Sequence, residues 1–159
     1  MLQHQLTIRR ATTNDAAAVG QLAQQFADYL RGLGDQGDFR FDAEAYLRDG
    51  FGPTPAFSGF IAEREGRVVG YLLYHWGYDT DRAIRLLHVV DLYIQESARR
   101  QGVGRALMNA AAEACREGGG QGLFWSVYAP NKMAAEFYER LGARYIEGLR
   151  FMYWPIAAA

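Results

Sequence analysis

The densest concentration of anion-binding chemistry in this chain is Arg99-Arg100-Gln101-Gly102-Val103-Gly104-Arg105. An apolar, β-branched and aromatic run, Leu86 to Ile94, precedes it and suits a strand covered on both faces. After a polar link over 95–98, the glycines open a helix with Val103, Leu107, Ala110, Ala111 and Ala114 along one side. The first amides of a helix have no internal partners and point outward, so strand, glycine turn and helix in this order make an anion site. The three arginines add cationic donors around it. Two phosphate motifs are excluded. A dinucleotide fingerprint needs a third glycine where Leu107 stands, and a P-loop needs Gly-Lys-Ser/Thr, which the chain lacks.

The elements that must position this turn read as follows. Gln5 to Arg10 alternates as a strand, and Thr12 with Asp15 forms a capping box before a helix carrying Val19, Leu22, Ala23, Phe26, Tyr29 and Leu30. Gly32 to Asp42 is a glycine-rich loop with Asp35, Asp38 and Asp42, either a solvated connection or an acidic rim that attracts an amine. A short helix, Ala43 to Asp49, and a turn-rich link lead to strands Ser58 to Glu65 and Arg67 to Tyr78. In the second strand alternation puts Tyr74, Trp76 and Tyr78 on one face and His75 on the other. Beyond the glycine-turn helix, Leu123 to Tyr128 reads as a strand and Asn131 starts a helix with Ala134, Phe137, Tyr138 and Leu141 on one face. Ala143 to Ile146 and Arg150 to Trp154 are expected to close the chain as a hairpin, whose aromatic strand either pairs across a homodimer or seals the core.

Composition narrows the classes. With 50% hydrophobic and 22% charged residues, the 159 residues are expected to form a single domain, 1–159, with a real core. A net charge of -1 gives no nucleic-acid footprint. The one cysteine, Cys115, excludes an internal disulfide and a cysteine-based metal site, and reads as a packed thiol; no metal is expected. There is no membrane-length apolar run and no apolar signal region, so the expectation is a cytoplasmic protein without a membrane partner.

Arg99-x-x-Gly102-x-Gly104 resembles the coenzyme A pyrophosphate loop of the GNAT N-acetyltransferase superfamily. The segment Asn131 to Ala143 is similar to that family's Asn-x-x-Ala-x-x-x-Tyr-x-x-x-Gly-Phe/Ala stretch. The resemblance covers nearly the whole chain. It implies an α+β, three-layer acyl-CoA N-acyltransferase fold, a mixed twisted sheet of about six to seven strands flanked by helices. It also implies transfer of an acetyl group from acetyl-CoA to a primary amine of a small molecule or peptide, directly in a ternary complex. A non-catalytic acyl-CoA-binding sensor on the same fold is the alternative.

The same resemblance assigns the site. Leu92, Tyr93 and Ile94 would hold pantetheine, with an amide near Leu92 or Tyr93 polarising the carbonyl. The amides of Gln101, Gly102, Val103, Gly104 and Arg105 would hold the pyrophosphate, flanked by Arg99 and Arg100, and Asn131 would bind the cofactor arm. Tyr138 matches the tyrosine that serves as general acid toward the thiolate; the other reading of Tyr138 is a core aromatic. His88 matches a strand position where several members place a Glu or His as base, and a pKa of about 6.5 suits proton removal near neutrality. A hydrogen-bonded core histidine is the other reading of His88. On strict alternation His88 shares a face with Val90 and Leu92, and Asp91 points the other way to anchor a neighbouring element. Val90-Asp91-Leu92-Tyr93-Ile94 with Phe137-Tyr138 also resembles the diamine acetyltransferase branch, although that branch has an acidic pair where this chain has Val90-Asp91.

Overall fold

Strand β1 (Leu6–Arg10), helices α1 (Ala16–Gly32) and α2 (Ala43–Phe51), strands β2 (Ser58–Arg64), β3 (Arg67–Asp79) and β4 (Ile84–Ile94), helix α3 (Val103–Glu117), strand β5 (Gly120–Phe124) and helix α4 (Lys132–Arg140) follow one another along the chain in the computed structural model. It describes residues 5–158. The sheet order is β1-β2-β3-β4-β5; the first four strands form an antiparallel meander and β5 lies parallel to β4. A parallel neighbour requires a crossover, which α3 supplies.

Helices cover both faces of the sheet, giving three layers. On one face Leu72, Tyr74, Leu87 and Val89 pack under Val103, Leu107, Met108 and Ala111 of α3. On the other, Ile61, Tyr71, Leu73 and Tyr93 pack against Val19 and Leu22 of α1 and Tyr46 of α2. Fully burying one such aliphatic side chain is worth about 1.5–3 kcal/mol, so this double layer fixes β3 and β4 as the rigid centre. The Thr12–Asp15 capping box forms as expected. Asp15 is buried; against the cost of that burial, the Arg9 guanidinium at 2.8 Å and the Thr12 amide hold its carboxyl below the usual range.

Three expectations change. The hairpin over 143–154 does not form: no strand follows β5 among the described residues, so the sheet has five strands rather than six to seven. Strand β5 covers 120–124 rather than 123–128, because its pairing with β4 ends at His88 and Phe124. Strict alternation along β4 also fails. Leu73 pairs with Asp91 but Tyr74 pairs with Val89, leaving Val90 as the extra residue of a β-bulge. Val89 and Leu92, an odd and an even position, consequently pack on the same face.

Candidate active site

Where β5 parts from β4, a cleft of about 1070 Å³ opens. Val89 to Ile94 form one wall and Trp125 to Tyr128 the other; Phe26 and Tyr29 of α1 and Phe137 and Tyr138 of α4 close the sides, and the glycine turn lies at one end. Strand separation leaves backbone groups on both walls without ladder partners, which suits an extended ligand that pairs with them.

The glycine turn is built for an anion. Gly102 caps α3 with φ 81° and has open space where a side chain would stand, so its conformation, not crowding, demands glycine. Gly104 is glycine for a different reason: a Cβ there would lie 3.0 Å from the Phe137 ring and 3.3 Å from Ile94. It allows α3 to approach α4 at the end of the cleft. The first bond of α3 runs from the Ala106 amide to the Gly102 carbonyl at 3.0 Å, so the amides of Val103, Gly104 and Arg105 have no partner within the helix. Arg99 donates from Nε to the Ile94 carbonyl at 2.9 Å and lays its guanidinium over Tyr29 and Tyr93, which fixes the turn to the end of β4. Arg100 and Arg105 are exposed and also line the cleft. The residues present therefore fit a pyrophosphate at the turn, with the rest of a long acyl carrier running down between the strands.

The structure brings most of the expected residues to this cleft. Leu92, Tyr93, Ile94, Arg99, Arg100, Gly102, Val103, Gly104, Arg105, Asn131 and Tyr138 all line it. Gln101 does not; its side chain is held by Arg64 and the Ser97 carbonyl. Asn131 caps α4 by accepting from the Ala134 amide and accepts from the Tyr29 hydroxyl at 2.9 Å, both through Oδ1, leaving its amide nitrogen for a ligand. Tyr138 lies between Trp125 and Phe137, with ring centroids at 4.8 and 5.2 Å. Burial and then the charge of Asp91 raise its pKa, so the phenol keeps its proton.

His88 is placed elsewhere. It is outside the cleft lining, stacked on Phe124 with centroids 4.6 Å apart, and its Nδ1 is 2.9 Å from His75 Nε2. Burial and His75 lower its pKa. Strand alternation had turned Asp91 away, but the bulge at Val90 brings it into the cleft wall. Its Oδ2 accepts from the Tyr71 hydroxyl at 2.6 Å. Burial pushes the carboxyl up to about 6, against the opposing hydrogen bonds from Tyr71 and the Leu92 amide. A bulge is invisible to period-two reasoning; the sequence signal for Asp91 was a lone acid inside an otherwise apolar strand. The loop aspartates also stay outside the cleft lining: Asp42 caps α2, Asp38 pairs with Arg40 and Asp35 accepts from the Gly37 amide. Cys115 is buried as a packed thiol, its Sγ 3.4 Å from the Gly122 carbonyl. Among the described residues no group of three or more His, Cys, Asp or Glu is placed to hold a metal, and no helix is long and apolar enough to cross a membrane.

Comparison with known proteins agrees with this geometry. Residues 21–143 match the model of the acetyltransferase (GNAT) family. A thialysine N-epsilon-acetyltransferase of Bos taurus is 32% identical over 145 residues, covering 86% of this chain and 83% of the relative. An N-alpha-acetyltransferase of Sulfurisphaera tokodaii is 33% identical over 101 residues, 59% of this chain and 60% of the relative. Among solved structures, an aminoglycoside acetyltransferase from an uncultured soil metagenomic sample superposes with a TM-score of 0.73 at 22% identity, over 96% of this chain and 97% of that one. At that identity the likeness concerns the fold.

Proposed function

The chain belongs to the acetyltransferase (GNAT) family, and from that premise we propose that it transfers an acetyl group from acetyl-CoA to the primary amine of a small molecule, with Asp91 and Tyr138 as the proton-handling pair. The observation that carries this reading is the cleft itself. A carboxyl poised near neutrality and a protonated phenol line the gap between parted strands, and an anion-binding helix start lies at its end.

Acetyl-CoA supplies an activated thioester carbonyl. Asp91 and Glu136 are the carboxylates that line the cleft, and Asp91 is the one held fast, by Tyr71. A carboxylate at that depth attracts an ammonium and accepts its proton at an Oδ atom, which frees the nitrogen lone pair. In this reading a backbone amide on the open edge of β4 would be the donor toward a developing oxyanion. Tyr138 Oη holds the proton for the departing sulfur. Asp91 thus takes the role first given to His88, which is engaged with His75 and Phe124 outside the cleft.

Phe26, Tyr29, Trp125 and Tyr128 line the same cleft with aromatic surface. That lining suits a flexible alkyl amine of the thialysine kind better than a highly hydroxylated acceptor, and it also accommodates the amine of a peptide. The sensor alternative is disfavoured, because a binding module has no need of a raised carboxyl beside a protonated phenol. Thiol release from acetyl-CoA over a panel of alkyl amines, amino acids, aminoglycosides and peptides tests the proposal. Amine-dependent release, greatest for alkyl amines, is expected. Release that no amine stimulates would return the chain to the sensor reading.

A further inference from the structure

The turn that opens α3 is held in a shape that its own residues do not favour. Arg100 has φ 58° and Gly102 has φ 81°, so two left-handed positions flank Gln101. Glycine takes that geometry freely, but an arginine persists in it only where its surroundings hold it there. The Arg100 side chain is exposed and lines the cleft, so the restraint comes from its neighbours. On one side Arg99 is fixed by its bond to the Ile94 carbonyl at 2.9 Å. On the other, Gln101 is fixed twice. Its Nε2 donates to the Ser97 carbonyl at 2.9 Å, and its Oε1 accepts from Nη1 of Arg64.

Arg64 reaches this turn from a distant part of the chain. It is the last residue of β2, 37 positions before Gln101, and its strand partners are Leu6 of β1 and Arg67 of β3. Neither Arg64 nor Gln101 lines the cleft. The Nε of Arg64 is buried without a hydrogen-bond partner among the described residues. Burying an unpaired N–H of a charged group is unfavourable, so an unbranched apolar side chain would suit the fold at least as well here. The fold carries that penalty, while the bond that Arg64 does make goes to the turn.

We propose that Arg64 is a positioning residue for the acyl donor: acting through Gln101, it holds the left-handed turn at Arg100 in the shape that receives the pyrophosphate. The inference rests on the assignment of that turn to coenzyme A. Arg64 lies outside the cleft, so it acts on the ligand through the loop rather than by contact. Without the Arg64–Gln101 clasp, Arg100 is free to relax out of the left-handed region, and the amides of 101–105 no longer converge before the ligand arrives. Binding must then restore the turn, and affinity falls with the fraction of molecules that already hold it. The carboxyl of Asp91 and the phenol of Tyr138 do not depend on the clasp.

Calorimetric titration of the full chain with coenzyme A, together with melting of the unliganded protein, tests it. Arg64→Met keeps an aliphatic stem and removes the clasp and the unpaired Nε together. Gln101→Leu breaks the clasp from the other side and leaves the Arg64 charge and the loop amides in place. Each variant is expected to bind coenzyme A roughly tenfold more weakly, the scale of one hydrogen bond to a charged group. The double variant should bind no more weakly than either single one, because both changes break the same clasp. The melting temperature of unliganded Arg64→Met should not fall. Unchanged affinity in Arg64→Met would overturn the proposal. A loss that Gln101→Leu does not share, or losses that add in the double variant, would overturn it by showing that the guanidinium acts through its charge. A lowered melting temperature, or failure to fold, in Arg64→Met would overturn it by making Arg64 a support of the fold itself. A wild type that does not bind coenzyme A would overturn the assignment of the turn and the clasp with it, whereas a binding wild type with unaffected variants overturns the clasp alone.

Discussion

Two side-chain pairs bridge β3 and β4 three residues apart, His88 with His75 and Asp91 with Tyr71. By residue type the histidine is the better base, since an imidazole titrates near neutrality while an ordinary carboxylate is already ionised far below it. The surroundings reverse that order. At His88 strand β4 still has both neighbours, so Phe124 of β5 covers the ring and His75 occupies its Nδ1 side. At Asp91 the β5 strand has gone and the Val90 bulge has turned the side chain into the gap. What gives Asp91 its chemistry is the neighbour that β4 has lost there. The pairs also act oppositely on stability. Asp91 has a folded pKa raised to about 6 from 3.8, so the native state binds the proton more tightly and stability falls as pH rises from about 4 to 6. His88 has a lowered pKa, so the unfolded chain takes up its proton first and stability falls as pH drops below about 6.5.

The largest way to break this contrast is Asp91→Asn. It keeps shape and an acceptor for the Tyr71 hydroxyl but removes the base, so turnover with an amine should fall by ~10²–10⁴, the usual contribution of such a group. Steady-state kinetics checks it, and a loss below tenfold would separate Asp91 from the chemistry. Next is Tyr138→Phe, for which a drop in kcat of about 10² is expected, with acetyl-CoA affinity by calorimetry little changed. A variant within twofold of wild type would leave Tyr138 as packing between Trp125 and Phe137.

Tyr71→Phe sharpens the contrast at smaller amplitude. Its hydroxyl opposes the rise of the Asp91 pKa, so removing it should move the acid limb of the rate profile above about 6 and cost a few-fold near neutrality. An unmoved limb would show that the hydrogen bond does not tune the carboxyl. The smallest effect on rate belongs to His88→Gln, expected within about twofold of wild type. Its signature is instead in melting temperature, where the variant should lose less stability than wild type between pH 7 and pH 5. A tenfold loss of rate would restore the base role to His88.

Much of this site was readable before the fold. The Gly102 turn, the Asn131 cap and Tyr138 each depend on local chemistry, a positive φ, a helix N-terminus or a helical face, and local chemistry is what a sequence displays. The role of Asp91 depends on one unpaired residue, Val90, and a bulge shifts a two-residue period without altering composition. The reason for glycine at 104 was hidden likewise, because Phe137 approaches it from a different helix. The C-terminal run shows a third limit: Arg150 to Trp154 read as a strand, but a strand forms only where an edge pairs with it, and none follows β5 among the described residues.

The most direct test of Asp91 is the pH dependence of kcat/KM for an alkyl amine, in wild type and in Asp91→Asn. With Asp91 as base, the productive state of enzyme and amine carries one proton between them. The wild-type profile should then rise to about pH 6, run level, and turn down only near the amine's own pKa of about 10. The variant has no group to accept that proton, so it must wait for free amine and its log kcat/KM should climb steadily across the same range. Parallel profiles for the two proteins, differing only in height, would contradict the assignment of Asp91 as the base.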